Sequence, residues 1–153
     1  MRRKDREMSE KFALEVCDSC EFAVLSVVDT AGLPYAVALN TVRDGKTLYF
    51  HSAVAGKKID CLKNCGDVCL SFVSEARLAP EKFTTEYKSA VAFGRAVEVL
   101  DKDEKIFALR LLCERFAISN MAGFDKAIEE SLSHTAIWKV EISEISGKSN
   151  IKN

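Results

Sequence analysis

The sequence is short of several things, and each shortage excludes a class. Lys and Arg number 22 against 23 Asp and Glu, giving a net charge of −1. That balance argues against a general nucleic-acid binder, which would carry a basic excess. No apolar run reaches membrane-spanning length, and the start, MRRKDRE, lacks the apolar centre of a signal peptide. A cytoplasmic location is the expectation. Only two prolines and two histidines occur, and no repeat or low-complexity tract interrupts the chain. There is no GxGxxG dinucleotide fingerprint and no GxxxxGK phosphate loop.

What is present suits one folded domain. The 153 residues are 48% hydrophobic and 29% charged, enough for a real core under a polar surface. Six cysteines stand out: Cys17, Cys20, Cys61, Cys65, Cys69 and Cys113. Without a secretory signal, reduced thiols are expected rather than disulfides. Cys17 and Cys20 form a CxxC, a redox pair or half a metal site, but no second CxxC or CxxH accompanies it. Packing is the simpler role, since free Cys behaves as a small buried hydrophobe.

Periodicity divides the chain into alternating elements. Ser9 is placed to cap a helix over 10–19, with Phe12, Ala13, Val16 and Cys17 on one face. FAVLSVVD, LPYAVALNTV and KTLYFHS read as three strands joined by the tight turns DTAG and RDG. GKKIDCLKNC is a short helix beginning near Gly56, and DVCLSFVS a fourth strand. The polar stretch 75–87, with Pro80, reads as a loop. KSAVAFGRAVEVL is a fifth strand whose Gly94 implies a bulge or a close backbone approach. Asp101 caps a helix carrying Ile106, Leu109, Leu112, Cys113 and Phe116 at helical spacing. A shorter helix covers 124–132, and HTAIWKVEISEI closes a six-stranded set. This is a mainly β fold with α: an antiparallel barrel, expected to close on itself, with helices capping one end.

The segment FHSAVAGKKID, residues 50–60, carries the densest chemistry. Lys57 and Lys58 open a helix whose N-terminal N–H groups already favour an anion, and Ser52 adds a hydroxyl. The set suits a phosphate monoester. The alternative is a solvated lysine pair on a helix face. His51 has an imidazole able to give a proton to a substrate that gains electrons, or to line a pocket. His134 reads as a capping or surface residue, Glu129 and Glu130 as a solvated helix face, and Phe83 and Tyr87 as aromatics able to line a site.

An ordered set of motifs goes further. G-x-P-Y-x-V-x-L-N over 32–40 is followed by D-G, L-Y-F-H-S-A, G-K-K-I-D and T-x-x-Y-x-S-x-x-x-F-G-x-A over 84–96. Together they resemble the FMN-binding split-barrel superfamily related to pyridoxamine 5′-phosphate oxidase, in its 5-nitroimidazole resistance (Nim-like) branch. The resemblance spans residues 1–148, one domain, and leaves 149–153 as a tail. It implies a split barrel of six antiparallel strands with FMN bound. Lys57 and Lys58 would hold the phosphate, and His51 and Ser52 would reach the cofactor from the third strand. The backbone of Val37, Ala38, Leu39 and Asn40 would lie along the isoalloxazine, with Ser89 a further contact. It also implies a homodimer with the flavin at its interface, and reduction of nitro-aromatic or similar acceptors. NADH or NADPH would have to dock on the flavin directly, since no nicotinamide-binding domain is visible. Pyridoxamine-phosphate oxidases carry a basic residue near Val37 and Trp and Arg near the C-terminus. This chain has an apolar Val37 and ends SGKSNIKN, which turns the expectation away from pyridoxamine-phosphate oxidation. The competing reading is a non-catalytic module for FMN or haem, with His51 as a ligand contact.

Overall fold

The computed structural model describes residues 2–151. It contains eight strands, β1 (Glu7–Met8), β2 (Ala23–Val28), β3 (Pro34–Leu39), β4 (Val42–Asp44), β5 (Thr47–Ala53), β6 (Asp67–Ala79), β7 (Thr84–Glu98) and β8 (Thr135–Ser149). Four helices accompany them, α1 (Glu10–Ser19), α2 (Lys57–Asn64), α3 (Lys102–Phe116) and α4 (Phe124–Ser131). All pairings are antiparallel, in the order β3-β2-β6-β7-β8-β5-β4, with β1 added to β8. The caps of α1 and α3 behave as the sequence predicts. Ser9 Oγ accepts the Phe12 N–H at 3.2 Å, and Asp101 Oδ1 accepts the Glu104 N–H at 2.8 Å.

Three expectations are corrected. The count of six strands becomes eight, because β1 is added and the second expected strand divides at Asn40 and Thr41 into β3 and β4. The stretch 75–87 is not a loop. β6 and β7 continue through it as a hairpin, with a 3-10 turn at Pro80–Lys82. Apolar alternation is absent there because the cross-strand side-chain contacts are ionic: Arg77 lies opposite Glu86 in register and binds it. Finally, the barrel does not close. β3 and β4 are the two ends of the sheet, yet only Asn40 and Thr41 join them. The ends therefore meet at that corner, since consecutive Cα atoms are about 3.8 Å apart. β4 pairs with β5 only from Val42↔Tyr49 to Asp44↔Thr47. Beyond Tyr49, the β5 edge facing away from β8 has no strand beside it among the described residues. Neither has the β3 edge facing away from β2. The split lies between these edges.

Inside, Leu25, Leu48, Phe50, Leu70, Phe72 and Val140 are buried, with α1 packed against them through Ala13, Val16 and Cys17. Truncating such a phenyl ring costs about 3–5 kcal/mol. A smaller cluster of Val42, Tyr49, Val99, Ala108, Leu112 and Ile137 seats α3 on the outside of β4 and β5. Of the α3 residues expected to pack, Leu112 is buried, whereas Phe116 is 38% exposed. Gly94 is explained by the closest approach in the sheet. The β7–β8 register shifts between Phe93 and Gly94, and a Cβ at Gly94 would overlap the Glu141 carbonyl oxygen.

Candidate functional site

The split gathers most of the residues that the sequence singles out. One wall is the free edge of β3. Val37 and Leu39 turn their side chains toward the core and Ala38 faces solvent, so the edge itself offers unpaired backbone N–H and C=O groups. Asn40 ends this wall, its Nδ2 donating to the Glu21 carbonyl at 2.7 Å. The other wall is the end of β5, which carries His51 and Ser52. His51 is exposed at its surface. Ser52 is buried and donates its hydroxyl to the Ala53 carbonyl at 2.9 Å.

The N-terminus of α2 stands at the end of the split. Gly56 precedes it with φ +127°, a conformation open to glycine and strained for other residues. The Gly56 carbonyl accepts from the N–H groups of Ile59 and Asp60, at 2.8 and 3.1 Å. The first two helical N–H groups, of Lys57 and Lys58, have no intrahelical partner, and no side chain caps them.

The two lysines diverge. Lys57 Nζ lies 3.4 Å from Asp29 Oδ2 in the β2–β3 turn and 4.8 Å from the centre of the Tyr35 ring on β3. It therefore spans the split. Lys58 turns inward, 5.8 Å from the Phe50 ring, and is half-buried. Burial pushes its ammonium below the ordinary lysine value, with no carboxylate acting on it. Burial, and then the Lys58 charge, push the His51 imidazole below its ordinary 6.5. That shift favours the uncharged imidazole at neutral pH. The end of the split carries two ammonium groups: Asp29 partly offsets Lys57, and no carboxylate offsets Lys58.

Ser89 is not brought to this groove within one chain. It lies on β7, between Val73 of β6 and Lys148 of β8, on the outward face of the sheet. Asp29 and Tyr35 are the residues that sequence reasoning missed. The DTAG turn signals only a turn, and Asp29 meets Lys57 from far along the chain. A cleft of about 620 Å³ beside Asn40, lined by Phe22, Arg115 and Phe116, was not foreseen either.

Cys17, Cys20 and Cys61 pack in the core, whereas Cys65, Cys69 and Cys113 are partly exposed. Cys17 and Cys20 are buried in the core, and burial pushes the Cys17 thiol up to about 12 and the Cys20 thiol upward. A thiol so placed stays protonated at neutral pH and is a poor nucleophile or metal ligand. No cluster of three metal-ligating side chains occurs among the described residues. No helix among them is long and apolar enough to cross a membrane.

The model of the family described as pyridoxamine 5′-phosphate oxidase matches residues 9–149. The chain belongs to that family. No curated protein matches it in sequence. Solved structures share the split-barrel fold. A candidate 5-nitroimidazole antibiotic resistance protein from Bacteroides thetaiotaomicron superposes with a TM-score of 0.76 at 21% identity, over 93% of this chain and 85% of that one. An FAD- and haem-binding protein from Mycobacterium smegmatis gives 0.80 at 18% identity, over 94% and 73%. The haem storage protein HutZ from Vibrio cholerae gives 0.66 at 16%, over 89% and 92%.

Proposed function

We propose that the protein is an FMN-binding flavoprotein, a small reductase acting on nitro-aromatic or similar acceptors. The observation that carries this reading is the start of α2. Uncapped N–H groups, a glycine bend and a half-buried Lys58 without an acidic partner stand together at the end of an open split. A buried or half-buried charge left unpaired is costly, and a bound dianion removes that cost. Lys58, the α2 N–H groups and, at longer reach, Lys57 would hold the phosphate. The free edge of Val37, Ala38, Leu39 and Asn40 would offer backbone hydrogen bonds to the ring system, and Ser52 would close the wall opposite.

FMN supplies one- or two-electron transfer when bound. The chain's own contribution is position and proton handling. His51, uncharged at neutral pH, would hold a proton on a ring nitrogen beside the acceptor. A second copy of the chain is part of the proposal, because the outward face of β2, β3, β6 and β7 suits one. Val24, Ser26, Ala36, Ala38, Ser71 and Val91 form a face without charge, and Phe93 beside them is 45% exposed. A partner docked there would bring its own Ser89 toward the groove. NADH or NADPH would reach the flavin directly from solvent.

The test is the absorbance spectrum of the purified protein, with the released ligand identified by mass and reduction then followed with NADH or NADPH and a nitro-aromatic acceptor. Bound FMN and turnover support the reading; a colourless protein that takes up no added FMN sinks it. A second reading, a non-catalytic module for FMN or haem, is favoured by one observation: His51 is exposed and neutral, the form that ligates iron. A Soret band in place of the two flavin bands, with no turnover, would establish that reading instead.

A further inference from the structure

Lys57 and Lys58 are adjacent in sequence but unlike in surroundings. The difference comes from Asp29. Its Oδ1 accepts the N–H groups of Ala31 at 3.0 Å and Leu33 at 2.9 Å, while Oδ2 faces Lys57. The side chain is only 15% exposed, and the turn is closed further by the Asp29 N–H donating to the Leu33 carbonyl at 2.8 Å. The carboxylate cannot swing away without opening the turn. The Leu33 N–H, aided by that of Ala31 and by Lys57, holds its carboxyl below the usual range. At neutral pH it is a fixed negative charge. Tyr35, on the neighbouring strand, holds the same ammonium over its ring.

Resting on the flavin reading above, we propose that Asp29 is a positioning residue that draws Lys57 off the phosphate. Lys58 then carries the charge contact, and Asp29 restrains the site's preference for phosphorylated over unphosphorylated flavin. A carboxylate at 3.4 Å competes with the phosphate for one ammonium and repels the dianion through space. An ordinary salt bridge, serving only to tie the turn to α2, would act on stability and on every flavin alike. The two roles separate on the ratio of FMN to riboflavin affinity.

The experiment is flavin-fluorescence titration of the full chain with FMN and with riboflavin. Asp29→Asn keeps an acceptor for the turn and removes the charge. It should tighten FMN about tenfold, as the freed Lys57 gains a charge-assisted hydrogen bond to the phosphate, and leave riboflavin within about twofold. In a Lys57→Ala background the same change should gain at most about threefold, because only through-space repulsion remains to be removed. Lys57→Ala alone should weaken FMN less than Lys58→Ala does. Should the Asn variant fail to fold, Asp29→Ser supplies the same test. Unchanged or weaker FMN binding in either variant, or an equal change for both ligands, overturns the proposal. Wild-type protein that binds neither ligand overturns the flavin reading instead.

Discussion

Helices α2 and α3 both start on the surface of the barrel, and they start in opposite ways. α3 is completed by its own chain: Asp101 caps it, and Asp103 and Glu104 place negative charge in the first turn. Glu104 also binds Lys139 at 2.8 Å and accepts from the Tyr49 hydroxyl at 3.1 Å. α2 has a glycine in the cap position, no side-chain acceptor, and a first turn in which Lys57 and Lys58, against the direction of the dipole, outnumber the single Asp60. One helix start is built for stability. The other has no side-chain cap, which on the proposed reading an anion would complete.

That contrast can be broken or sharpened by experiment. Replacing Lys57 and Lys58 together with Ala should weaken FMN about a hundredfold and riboflavin within about twofold, read by fluorescence titration. The same variant without flavin should lie within about 1 kcal/mol of wild type, since removing charges that oppose the helix dipole offsets the loss of the partly exposed Lys57–Asp29 pair. His51→Ala should keep FMN yet slow acceptor reduction about tenfold, read by steady-state kinetics. Unchanged turnover would make His51 a wall of the pocket. Asp101→Ala is the mirror-image control. It should cost about 1 kcal/mol of stability by thermal or urea unfolding and leave FMN affinity unaltered. The smallest effect is a shift in titration. His51 should titrate below 6.5 in the free protein, and FMN should move it upward by offsetting the Lys58 charge; NMR of the imidazole protons reads both. The sign for stability follows. The unfolded chain takes up the His51 proton first, so the fold loses stability as pH falls below 6.5, and FMN lessens the loss.

Features carried by local chemistry could be read from the sequence. Ser9 and Asp101 cap their helices, and Gly94 sits at a bulge because nothing larger fits beside the Glu141 carbonyl. The helix start after Gly56 was legible for the same reason: Gly56, Lys57 and Lys58 lie within one helical turn. Features that depend on distant partners were not. The hairpin through residues 75–87 reads as a loop because its side-chain contacts are ionic rather than apolar, Arg77 and Lys82 on Glu86 and Lys88 on Glu75. The break at Asn40 and Thr41 has no glycine or proline to mark it. It is set by the barrel corner, where the two ends of the sheet meet. Asp29 looks like any turn residue until the fold brings Lys57 to it.

The measurement that tests the central claim most directly is the pair of dissociation constants of the wild-type protein for FMN and riboflavin. The account predicts that FMN binds at least about tenfold more tightly, because the start of α2 and Lys58 act only on the phosphate. Equal affinities would contradict it, and α2 would then be a helix start that no ligand completes.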